Sequence, residues 1–259
     1  MRGRLSLLVF LSVAVILAAG SAWASPTVEI DGRYWFTKIS GSINLPDSSS
    51  LPATDIDLNS DLNLDKYGAP DVRLIWHTGS NSWLRVAYTH LDYSGTNPSL
   101  SRTITFNGQQ FNASTSVSSQ LKINYVSVGW AWQFLHIANI VKFGPLLQAK
   151  GFFIDASMDD PDLAINESKN VAFGLPTVGA ALDVNPPVIP VSVFAEFSGM
   201  TLGKYGHLYD TEAGLKVSPP IPFLYLEGGY RIFELVGHYN ANSVDVRIKG
   251  PFVGARLAF

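Results

Sequence analysis

From residue 27 to the end of the chain, apolar side chains return at every second position in one segment after another. The last segment, 244–259, shows the pattern plainly. Phe259, Leu257, Ala255, Val253 and Pro251 share one face, and Arg256, Gly254, Phe252 and Gly250 share the other. Successive side chains of a β-strand point to opposite sides, so a period of two marks a strand between two different surroundings. Ten such segments are predicted, at 27–39, 71–77, 82–93, 119–134, 141–156, 171–184, 191–200, 207–217, 222–234 and 244–259. A chain made of them folds as an antiparallel sheet, and something must cover its apolar face.

Composition narrows what that cover is. Hydrophobic residues make up 47% of the 259 residues and charged ones only 15%, against about 25% charged in soluble domains. Yet after residue 24 no stretch approaches the roughly 18 uncharged apolar residues of a membrane helix. Residues 1–24 read as a secretory signal peptide: Arg2 and Arg4, an apolar run from Leu5 to Ala19, then Ala22-Trp23-Ala24 with small residues at the outer cleavage positions. The alternative, an uncleaved membrane helix, needs a longer run of about 20 residues. There is no cysteine, so an exported chain of this kind is held by its packing or by closure of its sheet. Without Arg2 and Arg4, 16 basic residues face 21 acidic ones. A negative chain with no basic run argues against a nucleic-acid partner.

An exported, apolar, strand-rich chain places its apolar face against lipid, on the outside of a closed barrel. The fold expected for residues 25–259 is therefore all-β: a transmembrane antiparallel up-and-down β-barrel of about ten strands, with eight or twelve as the alternatives. Connections at 79–81, 135–140, 185–190 and 218–221 are short, whereas those at 40–70, 94–118 and 157–170 are long and polar. Short periplasmic turns and long outer loops are the rule for outer-membrane barrels, and an even strand count puts both termini on the periplasmic side. The later outer connections near 201–206 and 235–243 are short, which predicts a lopsided outer rim. Asn107-Gly108 between two β-prone runs predicts a hairpin projecting beyond the membrane. A soluble sandwich or lipocalin-like barrel is the competing fold. It would hide its apolar face, whereas here Tyr34, Trp76, Tyr88, Tyr209 and Tyr230 lie on that face as interface girdles do.

Two segments break the alternation. In 119–134, Lys122 and Asn124 fall on the face of Val126, Val128, Trp130 and Trp132, which calls for a bulge near Tyr125 or a register shift. In the last segment, Asp245, Arg247 and Lys249 make a polar face that runs out of step with the count from Phe259. A bulge at Gly250-Pro251 would reconcile the two.

The polar face is expected to form the lumen. It carries eight acids, Glu29, Asp31, Asp71, Asp183, Glu196, Asp210, Glu212 and Glu227. Against them stand nine bases, Arg33, Arg73, Arg85, Lys122, Lys142, Lys150, Lys216, Arg231 and Arg256. A wide selective pore shows an excess of one sign. Near balance implies cross-strand ion pairs in a narrow, largely filled interior, since an unpaired buried charge is costly. Open aqueous channels need about 16 strands.

The leader, the ten alternating segments, the asymmetry of loops and turns, and the closing VGARLAF together resemble small bacterial outer-membrane β-barrel proteins, the broad group that includes the OmpA-like and OmpW-like barrels. The resemblance spans the whole mature chain and rests on periods rather than on a motif. It implies a bacterial outer-membrane location, contact with outer-membrane lipid and lipopolysaccharide, and a terminal strand ending at Phe259 that the barrel-assembly machinery reads. It implies no cofactor and carries over no functional residue.

The function expected is non-enzymatic: envelope-structural, adhesive, or a narrow conduit for small solutes. Two groups of residues could add chemistry. His90 with Asp92, and His207 with Asp210, lie near the outer rim, where an omptin-like protease or a lipid-A-modifying hydrolase keeps its site. A base there needs to reach a water or nucleophile and be held by a third group. The third and eighth strands lie across the barrel from each other, and single His and Asp residues are also ordinary rim residues. In the first long loop Asp55, Asp57, Asn59, Asp61, Asn63 and Asp65 alternate like the oxygen ligands of a calcium loop. Ser60 stands where that loop needs glycine and Lys66 where it needs glutamate, so a divalent cation competes with a simple rim-packed loop. Asn166-Glu167-Ser168 matches a glycosylation triplet that has no meaning in a bacterial envelope.

Overall fold

A computed structural model of the chain describes residues 27–44, 54–138, 140–160, 165–239 and 242–259. The leader assigned to 1–24 lies outside the described residues. Ten long strands follow in order: β1 Val28–Asn44, β2 Lys66–Gly79, β3 Ser82–Asn97, β4 Val117–Trp132, β5 Val141–Asp160, β6 Ile165–Val184, β7 Val191–Thr201, β8 Gly206–Val217, β9 Leu224–Tyr239 and β10 Asn242–Ala258. Each pairs antiparallel with the next, and β10 returns to pair with β1 from Glu29–Ala258 to Asn44–Ser243. The sheet is closed, so it leaves no edge between first and last strand.

Around the half of the barrel nearer the termini, the apolar face points out. Trp76 is 54% exposed, with Leu74, Val86, Val128, Trp130 and Leu147 similarly bare. Soluble monomers rarely expose so many large apolar side chains on one surface. Tyr34, Tyr88, Tyr209 and Tyr230 sit on this exterior as the girdle reading requires. The inward positions of the same stretches are Glu29, Asp31, Arg33, Asp71, Arg73, Arg85 and Lys150, all buried.

Beyond that band the polarity inverts while the backbone runs on unchanged. The β3–β4 register is continuous from Ser82–Trp132 to Asn97–Val117, so no bulge occurs near Tyr125. Lys122 and Asn124 do face outward with Val128 and Trp130, and Leu121, Ile123 and Tyr125 face inward. Lys122 therefore leaves the lumen, and of the charges expected there eight bases remain with the eight acids. β10 likewise keeps one register with both β9 and β1, although its ladder with β1 skips Gly250-Pro251 opposite Phe36-Thr37, so the bulge expected there is absent. Asp245, Arg247 and Lys249 point outward, while Val246 and Ile248 are buried inside. The physical reason is that these strands leave the lipid partway along. In lipid the outside must be apolar; in water the outside is polar and the inside becomes an ordinary hydrophobic core.

Several connections expected as loops are strand. β5 and β6 stay paired from Val141–Val184 up to Asp160–Ile165, through most of the polar segment 157–170. The Asn107-Gly108 turn forms as expected, with φ of 48° and 82°, between short strands Ile104–Phe106 and Gln109–Phe111. It does not project, because Ile104, Phe106 and Phe111 are buried in the core at the barrel mouth. The segment 54–65 also folds inward, with Ile56, Leu58, Leu62 and Leu64 buried.

Candidate functional site

The interior is layered, and the middle layer is built from charge. Arg73 on β2 donates to both oxygens of Glu212 on β8, at 2.7 Å each, and its Nε donates to Asp71 at 2.7 Å. Arg33 on β1 donates to Glu212 at 3.0 Å and to Asp31 at 2.8 Å, and also pairs with Glu227. Arg231 on β9 bridges Asp210 at 2.9 Å and Asp71 at 3.1 Å. Lys150 on β5, with its side chain 1% exposed, donates to the same Asp210 at 2.7 Å. Arg85 reaches Glu196 at 2.8 and 2.5 Å. These strands lie all around the barrel, so the network is a septum across the lumen. It follows from the strands' own alternation, which aims one sign of charge from one wall at the opposite sign on another. Each arginine is matched to carboxylates through two or more donors, the geometry in which buried charge is tolerated.

Above the septum lies an aromatic floor. Tyr125 stacks on Phe152 at 5.0 Å, and Phe233 leans on both at 6.0 and 5.6 Å. Arg231 sits 4.7 Å from the Trp35 ring centroid, joining charge to aromatic layer by a cation–π contact. Within the septum only about 20 Å³ is open, about one water's worth of space. At the termini end a polar vestibule of about 160 Å³ is lined by Glu29, His77, Asp183, Lys216 and others. On the far side an apolar chamber of about 520 Å³ lies among Ile123, Phe152, Phe173, Leu208, Phe233 and Val246. The chamber and the vestibule share no lining residue.

The residues singled out in the sequence fall in separate places. His90 and Asp92 point outward above the membrane band. The His90 ring bonds Asn124 at 2.8 Å, and Asp92 accepts from Gln120 at 2.9 Å. His207 and Asp210 lie on opposite faces of β8. His207 faces out against Glu234 at 3.1 Å and the Tyr209 ring, and Asp210 faces in as a septum member. The structure thus brings neither His/Asp pair into one hydrogen-bonded unit.

The oxygens of the acidic loop are taken by its own amides and by Arg102 and Lys38. Asp57 accepts from the backbone N–H groups of Asn59 and Ser60, at 2.9 and 2.7 Å. Asp61 accepts from the Asp57 N–H at 2.9 Å and from Arg102 at 2.6 Å. Asp65 faces Lys38 at 3.4 Å, and the Asp55 carbonyl accepts from Arg102. Burial pushes the Asp57 carboxyl up, but the Ser60 and Asn59 amides outweigh it and hold the group below the usual carboxylate range. Among the described residues no cluster of three or more His, Cys, Asp or Glu is arranged to hold a metal. The lumen charges were legible from alternation. The apolar chamber was not, because the sequence shows its lining only as breaks in the pattern.

No protein-family model matches the chain, and no curated protein does. Solved structures do. The outer membrane protease OmpT of Escherichia coli aligns over 93% of this chain and 99% of its own, at 10% identity and a TM-score of 0.55. The translocator domain of the autotransporter NalP from Neisseria meningitidis aligns over 100% and 96%, at 10% identity and 0.45. The attachment invasion locus protein Ail of Yersinia pestis aligns over 91% and 100%, at 11% identity and 0.40. The chain has the fold of bacterial outer-membrane β-barrels.

Proposed function

We propose that this protein is a closed, non-enzymatic barrel of the bacterial outer membrane, with both termini in the periplasm and the polar-walled half standing in and above the outer headgroups. The septum is the observation that carries this reading. Five arginines and a lysine, each ion-paired within the lumen, leave no room for a hydrated solute to pass. The short turns at the termini end and the long strands at the other support the orientation, as in barrels generally. Lys38, Lys66, Lys122 and Lys249 on the outer wall suit contact with anionic lipopolysaccharide. Phe259, tied to Val28 by its backbone N–H at 2.8 Å, closes the strand that the assembly machinery reads.

The test is conductance in planar bilayers. The native barrel is expected to give no discrete steps, and Arg73→Ala with Arg231→Ala is expected to open small ones. Steady steps from the native protein would overturn the closed reading.

A further inference from the structure

We infer that the apolar chamber is a binding site for one aliphatic chain, admitted sideways from the membrane through a notch in the barrel wall, and that the chain belongs to a membrane lipid. The inference rests on the reading of this chain as a membrane barrel.

The notch comes from unequal strands. β6 pairs with β5 over all 20 of its residues but with β7 only from Val178 to Val184. β7 stops at Thr201 and β8 begins at Gly206, so among the described residues the β6–β7 ladder ends at Val178 and does not extend along 165–177. Pro176, which has no N–H to donate, lies two residues past the last β6–β7 pair. The β7–β8 hairpin is short because Gly203 and Gly206 take φ of 60° and 127°.

The chamber behind the notch is of small-molecule size, about 520 Å³, within the range of roughly 300–1,000 Å³ typical of ligand sites. Phe173 and Leu175 on β6 and Met200 on β7 line it from the two strands that bound the notch, and the buried Phe152 and Phe233 line it as well. A dry apolar space of this size, left without contents, forfeits dispersion contacts all along its lining. Its lip is amphipathic. Leu202 and Tyr205 are about half exposed, Lys204 lies 5.1 Å over the Tyr205 ring, and His207 and His238 stand beside them. Tyr with Lys is the pairing found where one end of a group meets lipid and the other meets headgroups. The outward Tyr209, packed on Phe197 at 5.9 Å, sits just below the lip and marks the upper edge of the apolar band. The opening therefore lies at headgroup level. Among the described residues, the loop 54–65 contributes nothing to the chamber lining.

The test uses the full barrel in nanodiscs of phosphatidylglycerol carrying a photoactivatable diazirine at the acyl end, with labelled sites mapped by mass spectrometry. Labelling is expected at Phe173, Leu175 or Leu235 inside as well as at Val128 and Leu147 outside. Met200→Trp and Val171→Trp, which fill the notch from two different strands, are expected to cut the inside labelling about tenfold, the equivalent of losing two buried methylenes. Both should spare the outside labelling, and the outward Leu226→Trp should spare the inside labelling. A second arm offers cis-parinaric acid to the barrel in detergent. Labelling confined to the outside overturns the inference and leaves the membrane reading intact. Loss of labelling everywhere overturns the membrane reading with it. Binding of the free acid with no inside labelling by lipid overturns the membrane as the source of the chain.

Discussion

Arg73 and Glu212 meet across the barrel axis through two parallel hydrogen bonds of 2.7 Å, from strands that lie far apart around the wall. Both side chains are buried, and Arg33 and Arg231 converge on the same carboxylate, Arg231 more distantly. The barrel is thus braced from wall to wall at mid-height. Removing Glu212 takes one carboxylate from three buried arginines and leaves Arg73 with Asp71 alone, while Arg33 keeps Asp31 and Glu227 and Arg231 keeps Asp71 and Asp210. Glu212→Ala should destabilise the barrel by about 3–5 kcal/mol, the usual cost of breaking one side of a buried pair. The double variant Arg73→Met with Glu212→Met should lose less than the sum of the single changes. Urea midpoints in detergent, arranged as a double-mutant cycle, measure the coupling, and additive losses would show that the pair is not a unit.

Where the exterior changes from apolar to polar, tolerance of charge should change with it. Leu74→Arg lies in the apolar band and should cost about 2–4 kcal/mol in lipid. Asn124→Arg lies above the band beside Lys122 and should cost close to nothing. Equal penalties in a refolding titration into liposomes would mean that the band has been placed wrongly.

The loop 54–65 carries a pH dependence of definite sign. The folded carboxyl of Asp57 lies below its ordinary value, so the released loop binds the proton more readily. The stability this group contributes is complete above an unfolded pKa of about 4 and declines as pH falls through the lower folded value. Amide exchange at Asn59 and Ser60, corrected for intrinsic rate, should accelerate below pH ~4. Asp57→Asn should abolish that acid-dependent acceleration, and a variant that keeps it would exclude Asp57 as the cause.

The β7–β8 hairpin depends on Gly206. Its φ of 127° is one that side chains rarely adopt, and a Cβ there would meet the Val236 carbonyl. Gly206→Ala should cost at least about 1 kcal/mol through strain alone. Gly237→Ala, on the facing strand with open space around its Cβ, is the matched control. A thermal scan of the heat-modifiable band on gels compares the two, and equal melting would remove the strain argument.

Much of this protein is determined by its sequence alone. The alternation of 244–259 and its nine counterparts sets ten strands, an apolar exterior and a charged lumen, because a strand's period of two can be read without knowing its neighbours. Asp71, Arg73, Glu212 and Arg231 are placed inside by that period. Their partners are another matter. Arg73 and Glu212 are joined only because closure of the sheet brings β2 and β8 face to face, and no local pattern records that distance. Lys122, Asn124, Asp245 and Arg247 look like faults when the strand is read in isolation. They are regular, because the surroundings change from lipid to water partway along one unbroken strand, and the meaning of each face reverses there. The apolar chamber and its notch belong wholly to the tertiary structure. They arise from a mismatch in length between β6 and β7, and so from the relation between strands rather than from any one of them.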